Sequence, residues 1–348
     1  QERQPLEHRF FTTAGVNSFR EIAEKLGVSP AAVSLVLNNK PGVGEKRRQL
    51  IQNALRENGY QLRFPEKKIL SQQICIIKCR ASHQNDEFSI LVLDAIEEYA
   101  NRAGYTVSLV NITNDTYEQK IAALDLENLC GIIFFASDMQ EKCLQYTMRI
   151  PLPKVYLDGC FSDRSINTVN IDQRLIANMA AEHLHKLGHV DIGYLRCVPT
   201  RSDLKQRFIF FKAAAERLGL NIMDNFVFDI NSTSENVERV IIPAFTDSSL
   251  HPSAIFCESD VIAAKCIQNL LQLGISVPED ISVIGIDNTR IALFSSPTLT
   301  VIDVNARELG RMAIDRLQQI LADPSRAIVH SYIEPFLVQR ESTCRKRA

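Results

Sequence analysis

No apolar run in this sequence approaches the roughly 20 residues that a membrane-spanning helix needs. Residues 1–20 lack the succession of charged, apolar and small residues that marks a secretory signal, so a soluble, cytoplasmic protein is expected. The short motifs of catalysis and nucleotide binding are missing too. There is no G-x-G-x-x-G, Walker loop, G-x-S-x-G or H-E-x-x-H, and Gly42-Val43-Gly44-Glu45-Lys46 has the wrong spacing for a phosphate loop. The expectation is a protein that is not an enzyme and takes no cofactor. The nine cysteines are odd in number and scattered, most of them inside apolar runs such as Gln73-Ile74-Cys75-Ile76-Ile77, where cysteine packs as a small hydrophobe. That pattern points to a reducing compartment, without a disulfide framework or a zinc site. His183, His185 and His189 do not share one helical face, so no metal is expected there.

What is present is enough chain for two or three domains: 348 residues, 45% of them apolar. The net charge of −2 hides an asymmetry, because residues 1–68 hold 12 Lys/Arg against 7 Asp/Glu and the remainder holds 27 against 34. A basic head on an acidic body is the distribution of a nucleic-acid binder that recognises through one module.

In the head, Ser18 and Glu21 have capping-box spacing, and Phe19, Ile22, Ala23 and Leu26 recur on one helical face. A helix over 18–26 ends at Gly27, and Ser29-Pro30 opens a second, with a preferred cap residue followed by proline at the first helical position. Val33, Val36 and Leu37 form its buried stripe. Pro30, Ala31, Ser34, Leu35 and Asn38 are left outward, a face suited to a DNA major groove. A third helix, about 45–58, is expected to bury Leu50, Ile51, Ala54 and Leu55 and to stop at Gly59. Lys46, Arg47 and Arg48 in its first turn oppose the macrodipole, which phosphate contact would offset. The residues Ser18-Phe19-Arg20-Glu21-Ile22-Ala23-Glu24-Lys25-Leu26-Gly27-Val28-Ser29, then Ala32-Val33-Ser34, Val36-Leu37-Asn38 and Glu57-Asn58-Gly59-Tyr60, resemble the head of the lactose-repressor (LacI) family of bacterial regulators.

From Gln73 onward, short β-rich runs (74–77, 106–110, 131–135, 154–157, 191–195, 253–257, 281–286) alternate with amphipathic segments (90–103, 175–187, 208–218, 261–273). The alternation predicts an α/β body of parallel sheets covered on both faces, in two lobes with a cleft at the strand carboxyl ends. Ala95-Ile96-Glu97, Ala103-Gly104-Tyr105, Glu182-His183-Leu184, Leu187-Gly188-His189, the run Gly274 to Asp287, Ser296-Pro297 and Leu299-Thr300-Val301 are similar to the sensor domain of the same family. The resemblance implies an all-α three-helix helix-turn-helix head at 18–62, after an extension at 1–17, a linker at 63–72, and a periplasmic-binding-protein-like effector domain at 73–348. Its N-lobe is expected at about 73–166 and 304–324, and its C-lobe at about 167–303 and 325–348.

It also implies roles for single residues. Arg207 stands at the arginine of the family's R-x-x-G-F segment, with Phe210 in place of the glycine, which puts the local backbone in question. Asp287 corresponds to an acidic effector contact and Asp158 to a ligand-facing position; for all three, an internal salt bridge or cap is the competing role. Ser259-Asp260 falls where many relatives have Asn-Asp, making Ser259 the ligand candidate and Asp260 a helix cap. Phe88 aligns with an aromatic that stacks on ligand or packs in the core. Two departures bear on mechanism. The usual arginine of the recognition helix is Leu35 here, so Ala31 and Leu35 are left to touch thymine methyls while Ser29, Ser34, Asn38 and Lys40 position the head on phosphates. After Tyr60 the chain reads Gln61-Leu62-Arg63-Phe64-Pro65-Glu66-Lys67-Lys68, without the family's hinge-helix pattern. The expected protein is a homodimeric repressor on a pseudo-palindromic double-stranded DNA operator, with a small-molecule effector, a carbohydrate or else a nucleobase. The alternative is a solute-sensing protein whose head has lost specific DNA recognition.

Overall fold

The computed structural model describes residues 19–37, 42–58, 60, 72–79, 87–198, 202–231, 234–247 and 250–346, and the chain divides into two units, 1–70 and 71–348. In the first unit lie α1 (Phe19–Leu26), α2 (Pro30–Leu37) and α3 (Glu45–Glu57). The first helix ends because Gly27 takes a φ of 62°, which turns the chain so that the Val28 N–H donates to the Ala23 carbonyl at 2.9 Å. Ser29 Oγ then accepts the Ala32 N–H at 3.2 Å, and Pro30 begins α2 where its missing N–H costs nothing.

Ile22, Ala23, Val33, Val36, Ile51 and Leu55 make the core of the head. Leu50, expected among them, is 60% exposed instead. The third helix packs along Ile51 and Leu55, four residues apart on one face, and Leu50 lies one position off that row. Ser18, Gly59 and linker positions 63–71 fall outside the described residues.

The body folds into two six-stranded sheets. Its first part runs β1 (Gln73–Cys79), α4 (Glu87–Arg102), β2 (Thr106–Ile112), α5 (Tyr117–Ala122), β3 (Gly131–Phe135), α6 (Glu141–Met148), β4 (Lys154–Leu157) and β5 (Thr168–Ile171). Then come α7 (Gln173–Lys186), β6 (Asp191–Val198), α8 (Ser202–Leu218), β7 (Asn221–Asn231), α9 (Ser234–Asp247), β8 (Ala254–Cys257), α10 (Asp260–Gln272), β9 (Ser282–Ile286), α11 (Arg290–Phe294) and β10 (Thr300–Asp303). The chain closes with α12 (Ala306–Ala322), β11 (His330–Ile333) and β12 (Phe336–Val338).

Strand order is β2-β1-β3-β4-β5-β11 in one sheet and β7-β6-β8-β9-β10-β12 in the other, the same winding twice. Pairing is parallel throughout except between β10 and β12. Strands buried on both faces explain the unbroken apolar runs, such as Gly131–Phe135, where every residue is buried. The helix α12 packs on α4 and on β3, β4 and β5. Gly310 permits the approach, since a Cβ there would come 2.7 Å from the Cβ of Ala95.

The expected lobe boundaries need correction. Thr168–Ile171 pairs with β4 and His330–Ile333 pairs with Thr168–Ile171, so both belong to the first sheet rather than to the second lobe. The chain changes sheets at Asp172, whose carboxylate caps α7 by accepting the Arg174 and Leu175 N–H groups, each at 3.0 Å. It changes again between β10 and α12, and finally between β11 and β12.

Near the C-terminus, His183 Nε2 bonds Thr343 Oγ1 and His189 bonds both Ser253 Oγ and the Cys344 carbonyl, each at 3.0 Å. Burial pushes His183 down to about 4 and also lowers His189. Both are therefore neutral in the fold near neutral pH. Between about pH 6.5 and 4 the unfolded chain binds more protons than the folded one at His183, so this contribution to stability is lost as pH falls through that window.

Two outcomes follow from these contacts. Ile51→Ala empties the centre of the small head core and should destabilise the head by about 2–5 kcal/mol, read as an earlier melt of its helical signal with the body's transition unchanged. The thermal midpoint of the body should fall between pH 7 and pH 5, and by less in His183→Gln, which keeps a partner for Thr343 without the titrating ring.

Candidate functional site

On the head, the residues expected to face DNA divide by exposure. Ser29, Pro30, Ala31 and Ser34 are exposed, while Leu35 is half-buried and leans to within 3.4 Å of where a Cβ on Gly42 would stand. Val33 and Val36, on the opposite side of α2, are buried. A short helix with one apolar face in a core and a small, weakly polar face in solvent is shaped for groove insertion. Arg47, one of the three basic residues in the first turn of the third helix, is exposed. Asn38 and Lys40 lie outside the described residues.

In the body the candidate effector residues occupy matching places in the two sheets. Asp158 directly follows β4 and Asp287 directly follows β9, the fourth strand in each winding. Both take positive φ, 52° and 99°, and both donate their N–H across to the next strand, to Val169 O and Ile302 O, at 3.0 Å. Such a backbone in a non-glycine residue is uncommon, and its repetition at strand carboxyl ends marks a built feature.

A cavity of about 330 Å³ opens at the first of these ends. Asp158, Asn170, Gln173, Gln206, Phe161 and Phe210 are among its walls, drawn from both lobes. Asp158 is buried and accepts the Ser137 hydroxyl at 2.5 Å, and Gln206 Nε2 donates to Cys160 Sγ at 3.0 Å.

Arg207 lies behind that wall, 4% exposed. Its Nε donates to Gln173 Oε1 at 2.8 Å and its Nη1 to the Glu258 carbonyl at 3.3 Å. Gln173 thus connects the arginine to the cavity. Glu258 is itself buried: Oε1 accepts the Tyr194 hydroxyl at 2.8 Å and Oε2 the Cys197 N–H at 2.7 Å. Burial, with the Glu258 charge adding to it, pushes the Tyr194 hydroxyl well above its ordinary range, so it stays a donor. The α8 helix runs unbroken through Phe210, so the residue standing for glycine does not disturb the backbone; the Arg174 guanidinium sits 5.2 Å from its ring centroid.

Two sequence expectations exchange roles. Ser259 is the cap of α10, its side chain accepting the Ile262 N–H at 3.2 Å. Asp260, expected as the cap, instead reaches out to accept the Thr289 N–H at 2.7 Å, which ties the Ser259 and Asp287 segments together. Burial pushes the Asp260 carboxyl up to about 6, against the Thr289 hydrogen bonds that hold it down, with the charge of Glu87 adding to the rise. Phe88 packs in the core edge-on to Phe135, with centroids 6.2 Å apart and 7% of its surface exposed, which is its core-packing role. Sequence reasoning missed Gln173, Tyr194 and Glu258, whose contacts span 34 to 64 positions of chain.

A helix-turn-helix head followed by a two-lobed body with a polar cavity at its strand ends defines the class of ligand-sensing DNA-binding regulators. Residues 18–62 match the model of bacterial regulatory proteins of the lacI family, and residues 181–343 match that of the periplasmic binding protein-like domain. The chain is 28% identical over 332 residues to the HTH-type transcriptional repressor PurR of Photobacterium profundum, covering 93% of this chain and 98% of that protein. Against the PurR of Aliivibrio fischeri strain MJ11 it is 26% identical over 333 residues, with the same coverage. Among solved structures, the transcriptional regulator CelR in complex with cellobiose superposes with a TM-score of 0.71 at 19% identity, over 94% of this chain and 99% of that one. The lac repressor dimer bound to operator and the anti-inducer ONPF superposes with a TM-score of 0.70 at 20% identity, again over 94% and 99%. The chain thus joins a lacI-family helix-turn-helix domain to a periplasmic binding protein-like domain, and it is a DNA-binding transcription regulator.

Tyr194→Phe removes one hydroxyl from the buried network and leaves Glu258 Oε1 without that donor. The expected cost is about 1–3 kcal/mol, measured by urea denaturation, whereas the same substitution at the exposed Tyr332 should cost less than about 0.5 kcal/mol.

Proposed function

We propose that the protein is a cytoplasmic homodimeric repressor whose two heads each set α2 into the major groove of one half of a pseudo-palindromic operator. A small molecule, a carbohydrate or a derivative of one, held in the body changes operator affinity, and no chemistry is done on it. The observation that carries this reading is the presence in one chain of an exposed reading face on α2 and a two-lobed body whose cavity is walled from both lobes.

Base readout is apolar in this reading. Ala31 and Leu35 meet thymine methyls, and the hydroxyls of Ser29 and Ser34, with Asn38 and Lys40, hold phosphates and fix orientation. Effector recognition falls to Asp158 and the amides beside it, with Arg207 on α8 behind the wall, Asp287 and the α10 cap Ser259 at the second lobe's strand ends, and Phe88 supporting from the core. A second copy has a surface to meet: Leu293 and Phe294, adjacent on α11, are 53% and 82% exposed.

Selection of bound sequences from a random duplex pool at near-physiological salt tests the proposal. A palindromic motif bound at least ~10³-fold more tightly than unrelated duplex is the expected result. Binding with no enriched motif that disappears as salt rises would sink it, and would favour a solute sensor whose head has lost specific recognition.

A further inference from the structure

Around the cavity beside Asp158, every acid already serves a neighbouring donor, and the two arginines serve no acid among the described residues. Asp158 accepts from Ser137 at 2.5 Å, Asp163 accepts the Ser165 N–H and hydroxyl at 2.7 and 2.5 Å, and Asp172 is occupied as a helix cap. Arg164 and Arg174, exposed at the rim, make no ion pair or side-chain hydrogen bond with any of the described residues. In a body with 34 acids against 27 bases, two such arginines bordering one cavity call for an anion. Phe210, under the Arg174 guanidinium, holds that side chain against the cavity wall.

Between the buried acid and the exposed arginines stand two amides. Asn170 uses its oxygen on the Gly159 N–H at 3.0 Å and Gln173 uses its oxygen on Arg207 at 2.8 Å, so among the described residues both side-chain NH₂ groups remain as donors. We infer that this cavity takes an anionic sugar, either a phosphate ester or a sugar acid. The charged end lies against Arg164 and Arg174, and the hydroxyls lie against Asp158, Asn170 and Gln173. The inference rests on the effector reading above and narrows it.

The two halves of the site exclude simpler ligands. A neutral sugar leaves both guanidinium forks without the paired oxygens that suit them. An anion without hydroxyls brings its charge toward Asp158 with nothing to donate to it. A hydroxylated anion satisfies both ends, and about 330 Å³ lies at the lower end of the range for small-molecule pockets, right for one sugar ring and its charged group.

The test uses the full-length protein and calorimetric titration with glucose, fructose and ribose, each beside its phosphate (glucose 6-phosphate, fructose 6-phosphate, ribose 5-phosphate), and with gluconate and glucuronate. At least one anion should bind about tenfold or more tightly than its neutral parent. Arg164→Ala with Arg174→Ala should erase that preference, while the double lysine variant retains part of it. Circular dichroism confirms folding, which these exposed side chains do not support. Binding of no anion at millimolar concentration, equal binding of a neutral parent, or a preference that survives the double alanine variant would each overturn the inference. An arginine-dependent anion that leaves operator affinity unchanged would uphold the site and remove the effector role. A neutral sugar that shifts operator affinity while no anion binds would do the reverse.

Discussion

The body is governed by one constraint: two parallel sheets must present their carboxyl ends to a common crevice while a single chain passes between them three times. Parallel sheets are covered on both faces, so each strand end is the only part of a strand free to carry polar function. The repetition of strand order turns this into a symmetry of chemistry. Asp158 and Asp287 finish equivalent strands, both take a positive φ and both make the same kind of cross-strand hydrogen bond. The crossings are pinned rather than loose. Asp172 caps the helix it enters, and Asp303 accepts the N–H of Asn305, itself at a φ of 54°. Asn288 ties Asp303 to Arg340, joining the second crossing to the last stretch of chain. Lobe motion in such a frame turns about fixed points instead of unravelling the connections.

Holding Arg207 in the interior follows from that geometry and has its own cost. A guanidinium removed from water is tolerated only where its N–H groups find acceptors. Gln173 comes from α7, the Glu258 carbonyl from the end of β8, and the Glu258 carboxylate is held by Tyr194 and Cys197 of the β6 strand. One buried cation therefore joins two helices and two strands of the second lobe. Its Gln173 partner also lines the cavity, so a ligand that competes for that amide acts directly on the packing of α7 against α8.

The sequence made much of this legible, and for physical reasons. Strands such as Gly131–Phe135 and Ser282–Ile286 are buried along their whole length and so read as continuous apolar runs. Thr168–Ile171, His330–Ile333, Asn221–Asn231, Thr300–Asp303 and Phe336–Val338 escaped detection. The first two are four residues long, and His330–Ile333 and Asn221–Asn231 lie at sheet edges, where polar residues interrupt the pattern. Missing Thr168–Ile171 and His330–Ile333 displaced the lobe boundary. In the head, cap residues and the helical period located all three helices, while Leu50, expected in the core, sits exposed next to the true core row, and Leu35 and Leu37 are both half-buried. Motif position picked out residues that stand at strand ends, Asp158, Ser259 and Asp287, of which Asp158 lines the cavity, but it could not tell a cap from its neighbour. Ser259 and Asp260 differ by one position, and only the fold decides which points back to the helix. The partners of Arg207 lay beyond reach because they depend on tertiary pairing across tens of residues.

The nature of the reading helix bears on how an effector in the body could govern DNA binding. An arginine or asparagine on a base edge supplies about 1–3 kcal/mol of discrimination per bidentate pair, and the exposed face of α2 has Pro30, Ala31 and Leu35 where such side chains would stand. In the proposed reading each head by itself is a weak discriminator, and phosphate contacts add affinity without choosing a sequence. Specificity in the proposed dimer must come from engaging two half-sites at once, where the second contact is effectively intramolecular and its strength falls steeply when the spacing is wrong. A switch then needs no rearrangement within either head. A change of lobe angle in the body that alters the distance between heads removes the second contact, and a pair of weak readers loses its operator when one of them can no longer reach.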